Sequence, residues 1–393
     1  MDFRFTAEDE AFRAELRAFL RAEWSGGTGD ASVDNEKELR KERAFEKKLA
    51  ERGWLTLAWP VQHGGRGASC VRQAILREEC SYARAPAGGG PGGQATGLVG
   101  PAIMAYGTEE QKRRFLPPIA AGEVSWCQGF SEPEAGSDLA SVQTKAERAG
   151  DSYVLNGHKV WTSGAAYADW IHVLARSDAN TPKHKGLSYF LVDMRSPGIS
   201  YRPIAEMTGR AGFYETFFDN VSVPLENLLG EENRGWYVAT ATLGLERSGM
   251  LRVGAVRRAF DDVAAYVRTS LPLPASGRGP GGGVRTRLAD HAVEIEVGRW
   301  LGYRVAWLQD AGLSANYEAS VSKMFNTEVA QRFANTAVHV LGQRGLLALD
   351  AAGAPLGGLA AFTYLLTVHW SISAGSNEIQ RNIIAQRGLG LPR

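Results

Sequence analysis

Gly129-Phe130-Ser131-Glu132-Pro133-Glu134-Ala135-Gly136-Ser137-Asp138 joins a turn-forming dipeptide, small residues and hydroxyl donors, a composition suited to a loop around a bulky anionic cofactor. Pro133 fixes φ and presets a bend, Gly136 lets the backbone approach a ligand, and Ser131 and Ser137 add short donors. Glu-Pro and Gly-Ser-Asp are also ordinary turn chemistry, so the loop alone does not establish a site. Downstream, the stretch from Gly150 to Trp161 reads as a β-hairpin whose Asn156-Gly157 corner fits a two-residue type I′ turn. Glu246 is the candidate proton acceptor. In helical register Leu243, Glu246, Met250 and Val253 share one face, placing a carboxylate among apolar residues. Burial there disfavours the charged form and raises the pKa, the direction that suits a base near neutral pH. A glutamate followed by an arginine is more commonly a solvated surface residue, and that alternative stands beside the first.

The elements that must position these residues read helix, then sheet, then helix. Phe12, Leu16, Phe19 and Leu20 form a one-sided apolar stripe, and helical text continues to about Ala121. From Val124 to about Leu229 the pattern shortens to strands, at Tyr153 to Ser163, Trp170 to Arg176, Leu187 to Val192 and Phe217 to Val223. Long helices return near Gly235–Val267, Arg287–Gln309, Ala315–Leu341 and Leu359–Gln386, enough for a four-helix bundle. The expectation is an α+β multidomain chain: an N-terminal α-helical domain over 1–122, a middle β-barrel-like domain over 123–233 and a C-terminal four-helix bundle over 234–393. The Gly-rich runs Gly88 to Gly93 and Gly277 to Gly283 lack a preceding strand and a GxxxxGK[ST] ending, and read as flexible connectors.

Composition excludes several classes. With 393 residues, 44% hydrophobic content and a net charge of +1, the chain suits a sizeable enzyme, and its scattered basic residues argue against a nucleic-acid partner. The longest apolar run is too short to span a bilayer and the N-terminus lacks a signal core, so no membrane association and a cytoplasmic location are expected. The three cysteines, Cys70, Cys80 and Cys127, have no CxxC spacing, and the seven histidines are dispersed. Neither a disulfide framework nor a metal site is expected.

The loop at 129–138 and the Asn156-Gly157-His158-Lys159-Val160-Trp161 segment together resemble the acyl-CoA dehydrogenase family, whose members hold the isoalloxazine ring of FAD with such segments. The likeness runs almost end to end, through Tyr106-Gly107-Thr108-Glu109-Glu110-Gln111-Lys112 and the closing Ser376-Asn377-Glu378-Ile379-Gln380-Arg381. The resemblance implies an FAD-dependent α,β-dehydrogenation of an acyl-CoA thioester, with electrons passed to an electron-transferring flavoprotein. It implies that Gln128, Phe130, Ser131, Trp161 and Ser163 hold the flavin ring, that Ser376 and Glu378 contact the rest of FAD, and that Ser137 and Arg247 face the substrate. Such a reaction needs a base for the α-proton and polarisation of the thioester carbonyl. Where many members carry a glutamate before the closing Gly-Ser turn, this chain has Ser373-Ala374-Gly375-Ser376, and Ala374 cannot take a proton. A second branch carries the base on the first long C-terminal helix, where this chain has Leu245-Glu246-Arg247. Glu246 is therefore the expected base, with the Ala374 backbone N–H still available to the thioester oxygen.

One departure concerns assembly. After Thr269 the family commonly continues with Arg, Phe-Gly and Gln, which reach the FAD of a neighbouring subunit; here Ser270-Leu271-Pro272-Leu273-Pro274 follows. A homotetramer is expected, with a heterotetramer as the alternative. The other functional readings are a family-fold flavin oxidase or monooxygenase, and a non-catalytic partner subunit. The acyl group's length and shape, and whether it rides on CoA or an acyl-carrier protein, are not legible in the sequence.

Overall fold

The computed structural model describes residues 4–26, 36–86, 91–243, 249–270 and 282–392. The first helices are α1 (Ala7–Glu23), α2 (Glu36–Glu51), α3 (Cys70–Tyr82), α4 (Pro91–Gln94), α5 (Gly100–Tyr106) and α6 (Glu109–Ala120). Strands β1 (Trp126–Gly129), β2 (Lys145–Ala149), β3 (Ser152–Ser163), β4 (Trp170–Arg176), β5 (Leu187–Asp193), β6 (Ile199–Ile204), β7 (Phe213–Pro224) and β8 (Leu228–Leu229) follow. The chain continues with α7 (Gly235–Leu243), α8 (Met250–Ser270), α9 (Gly282–Asp310), α10 (Asn316–Leu341), α11 (Leu359–Trp370) and α12 (Asn377–Ile383). Two helix starts are written in the sequence. Thr6 with Asp9, and Thr108 with Gln111, each close a reciprocal capping box.

The chain divides into two compact units, one made of residues 30–68 and 86–246 and the other of 1–29, 69–85 and 247–393. The N-terminal helices are shared out: α2, α4, α5 and α6 go with the sheet, α1 and α3 with the later helices.

The first unit is built on one mixed sheet of order β6-β7-β3-β2-β4-β5-β8, with β1 added parallel to β4. The sheet is open: its end strands do not pair, so the barrel-like closure expected from the sequence is absent. Its central strands are buried on both faces. Trp126, Phe130, Leu174, Tyr189 and Leu191 pack with Val99, Ile103, Phe115 and Leu116 on one side. Cys127, Ile171, Val173, Phe190, Phe218 and Val221 fill the other. That double burial explains why Trp170 to Arg176 and Leu187 to Val192 read as near-continuous apolar runs.

The hairpin is placed differently from the sequence expectation. β3 runs unbroken through Asn156-Gly157, and the β2–β3 reversal lies at Gly150-Asp151, between the paired Ala149 and Ser152. Gly150 takes the positive φ of 61° that the turn needs. Gly157 marks an irregularity in the β3–β7 register instead. A Cβ there would come within 2.4 Å of Thr144 Oγ1, so the glycine admits a crossing chain rather than making a corner.

In the second unit α8, α9, α10 and α11 pack around Val256, Val263, Leu288, Ile295, Val329, Phe333 and Ala360, as expected of a bundle. Two helices expected to be continuous are interrupted. Gly249 has a φ of 75° immediately before α8. Between α11 and α12 the chain turns through Ala374 (φ 55°) and Gly375 (φ 79°), conformations no helix can hold. The Gly88 to Gly93 run is also not wholly a connector, because Pro91–Gln94 is helical.

Candidate active site

In the sheet unit, the 129–138 loop leaves β1 and is tied down at its root. Lys159, fully buried on β3, donates from Nζ to Phe130 O (3.0 Å), Leu174 O (2.7 Å) and Glu132 Oε1 (2.8 Å). Glu132 in turn accepts the backbone N–H groups of Gln143 (2.6 Å) and Thr144 (2.8 Å). Burial pushes the Lys159 ammonium down to about 8 against the pull of Glu132. Burial acts to raise the Glu132 carboxyl, but the Lys159 charge and the hydrogen bonds hold it below its ordinary value. The pair is ionic near pH 7 and fixes the loop to two strands. Val160 N donates to Ser131 O at 2.9 Å, which lays the far end of β3 alongside the loop.

That adjacency brings Ser131 and Trp161 to one surface. Trp161 is 58% exposed and sits at a φ of 61°, whereas its neighbour Thr162 is fully buried. A bulky side chain at positive φ is strained, and strain of this kind collects at ligand sites. Ser163 ends β3 half-buried, Ser137 is exposed, and a Cβ on Gly136 would meet nothing within 4 Å. Phe130 behaves differently from a flavin wall. Its ring is buried edge-on to His172 and Tyr189, so only its main chain remains for a cofactor.

In the helical unit, the turn between α11 and α12 carries the other set. Lys323 of α10, buried, donates to Ser371 O (3.2 Å), Gly375 O (2.9 Å) and Asn377 Oδ1 (2.9 Å). Gln380 Nε2 donates to Gly375 O at 3.0 Å, and Asn377 N to Ser371 O at 2.8 Å. Burial lowers the Lys323 pKa to about 8. Ala374 and Glu378 stand exposed on this clamped turn, and Ser376 caps α12 by accepting from Ile379 N. Backbone hydrogen bonding and the Ser376 hydroxyl hold the Glu378 carboxyl below its ordinary value. Glu246 and Arg247 lie outside the described residues.

A buried charge cluster among the described residues of the helical unit is structural. Glu78 of α3 is enclosed by Arg13 (3.0 Å), Arg299 (2.7 Å), Arg257 and Tyr303. Burial works to raise its carboxyl, but the arginines and the Tyr303 hydroxyl keep it low, unsuited to accept a proton at neutral pH. Sequence reading passed over Lys159, Glu132 and Lys323. The Lys159 signal was present, since a lysine in an apolar strand is out of place, whereas nothing in the Lys323 helix marks it. Among the described residues no group of three or more His, Cys, Asp or Glu is arranged to hold a metal, and no helix is long and apolar enough to cross a membrane.

Family models of the acyl-CoA dehydrogenase N-terminal, middle and C-terminal domains match residues 6–123, 127–221 and 233–389. The chain belongs to the acyl-CoA dehydrogenase family. Acyl-CoA dehydrogenase IpdE1 of Mycobacterium tuberculosis is 38% identical over 398 residues, covering 98% of each chain. Among solved structures, a Tcur3481-Tcur3483 steroid ACAD matches with a TM-score of 0.90 at 34% identity over the whole of both chains. A chain of the ChsE4-ChsE5 complex of Mycobacterium tuberculosis matches at 0.87, also 34% identical and complete on both sides. The protein is thus an acyl-CoA dehydrogenase-family oxidoreductase and its cofactor is FAD. The exposed Trp161, the Ser131 backbone tied to its neighbour Val160 and the open approach at Gly136 suit a large planar cofactor.

Proposed function

We propose that the protein desaturates a CoA thioester between Cα and Cβ, with Glu246 taking the α-proton. Bound FAD supplies the hydride acceptor. Ser131, Trp161 and Ser163, with the main chain of Gln128 and Phe130, orient the flavin ring, while Ser376 and Glu378 hold the remainder of the cofactor. The Ala374 N–H polarises the thioester oxygen, which raises the acidity of the α-proton at the moment Glu246 receives it. Ser137 and Arg247 face the substrate, Arg247 toward its anionic part. Electrons then pass to an electron-transferring flavoprotein, in the cytoplasm. The observation that carries this reading is Trp161, held strained and exposed beside the Ser131 loop in a chain that matches the family from end to end.

The steroid ACAD among the solved relatives favours a bulky, ring-bearing acyl group over a plain chain. The family division at 1–122, 123–233 and 234–393 is proposed as the functional one. The two solved relatives are each named as a pair of proteins, and with the missing donors after Thr269 they favour a tetramer of two different chains over the homotetramer. Purified chain carrying close to one flavin per protomer would return the balance to the homotetramer.

The test is an anaerobic titration of the FAD-loaded protein with varied acyl-CoAs, following loss of flavin absorbance. Glu246→Gln should retain FAD and lose at least about 10²-fold in the rate of reduction. Near-normal reduction by that variant removes Glu246 from the role. Reduction that needs no thioester turns the reading toward a flavin oxidase or monooxygenase.

A further inference from the structure

Gln128 and His172 are opposite one another on the parallel strands β1 and β4. Strand side chains alternate, so both face the helical layer: Trp126 and Phe130 flank Gln128 there, and Leu174 follows His172. In that apolar cluster the Nε2 atoms of both residues are buried and have no hydrogen-bond partner among the described residues. Gln94, at the end of α4 where that helix meets β1, has its Oε1 in the same condition.

The imidazole is prepared as a donor. Tyr189 Oη lies 2.6 Å from His172 Nδ1, and donation by the phenol there leaves the ring proton on Nε2. Burial keeps the ring neutral, pushing its pKa down to about 3. A buried donor left unmet is destabilising, and here two neighbours share that state inside an otherwise apolar wall. The chain above them passes through a π-helical turn at Ala95–Val99, a distortion that recurs at functional sites. Phe130, edge-on to His172 at 5.3 Å, runs directly into Ser131, so the two donors sit at the root of the cofactor loop.

We propose that Gln128 and His172 form a polar subsite that selects thioesters whose acyl group carries a carbonyl or hydroxyl oxygen remote from the thioester. The thioester part of this inference rests on the dehydrogenase reading. Two unmet donors paired across neighbouring strands provide discrimination that an apolar wall lacks, because an acyl group without the oxygen leaves both unmet.

The FAD-loaded protein is titrated calorimetrically with octanoyl-CoA and with the 4-, 5-, 6- and 7-oxo-octanoyl-CoA isomers, and flavin reduction by each is followed anaerobically. At least one oxo isomer should bind about tenfold tighter than octanoyl-CoA, the worth of about one hydrogen bond to a buried donor. His172→Phe should bring that ratio to within about twofold with FAD content retained, and His172→Gln, which keeps a donor, should restore part of it. If His172→Phe does not fold, Tyr189→Phe, which removes the phenol that fixes the His172 tautomer, takes its place. Equal affinities across the set, or a ratio untouched by the substitution, overturns the subsite, as does a water molecule that still bridges the two donors with the preferred isomer bound. A preserved affinity ratio without flavin reduction sinks the dehydrogenase reading and leaves the subsite standing; reduction with equal affinities does the reverse.

Discussion

The cofactor loop of the sheet unit and the closing turn of the helical unit are held by the same device, with one difference. Each has a buried lysine spreading three hydrogen bonds over the segment, Lys159 for the loop and Lys323 for the turn. Each also has a non-glycine residue at positive φ, Trp161 on the adjoining strand β3 for the loop and Ala374 within the turn itself. The acceptors differ. Lys159 bonds a carboxylate, Glu132, whereas Lys323 bonds two carbonyls and an amide oxygen. A lysine is a compact, three-donor charge, well suited to drawing divergent acceptors to one point. Whether its loss strands a countercharge then decides how much that loss costs.

The sharpest way to break the comparison is to remove each lysine. Lys159→Met leaves Glu132 buried without its cation and should cost about 3–5 kcal/mol, with loss of flavin as the loop detaches. Denaturant unfolding and flavin content check it; a loss near that of Lys323→Met would dissolve the distinction. Lys323→Met strands only neutral acceptors, which points to about 1–3 kcal/mol. Flavin reduction by acyl-CoA should slow about tenfold in that variant, as the Ala374 N–H loses its fixed direction. Unchanged reduction at reduced stability would mean that the clamp serves folding alone.

pH tests the Lys323 clamp on its own. The folded-state pKa of Lys323, about 8, lies below the value of about 10.4 for an unfolded lysine. Between those values the unfolded chain binds more protons, so this group's contribution makes stability rise with pH across the window. Unfolding midpoints at pH 7.5, 8.5 and 9.5 should show a smaller rise in Lys323→Met than in the parent; parallel curves would remove the assignment. The smallest effect expected is from Ala374→Gly. Relief of the left-handed strain should stabilise by roughly 0.5–1 kcal/mol, offset in part by glycine's greater entropy when unfolded. A loss of stability there would show that the methyl group packs rather than strains.

Much of the proposed site is legible because its parts are local. The Ser131–Asp138 loop and the Trp161 segment each announce themselves within a few residues, and the central strands carry their own apolar pattern. The lysines were less legible because their partners are distant in the chain. Lys323 answers to carbonyls about fifty residues away, and no local pattern records that.

Residue patterning by itself determined the strands Tyr153 to Ser163, Trp170 to Arg176 and Leu187 to Val192, which depend on neighbours within a few residues, but it left β6 unread and began β7 four residues late. Only the tertiary structure decided that Gly157 lies inside a strand, that the sheet stays open and that Phe130 faces the core rather than the cofactor. The first and last of these turn on which chain crosses close by: Thr144 beside Gly157, and His172 and Tyr189 around Phe130. A glycine permits a tight corner and a close crossing equally well, and only the packed neighbour selects between them.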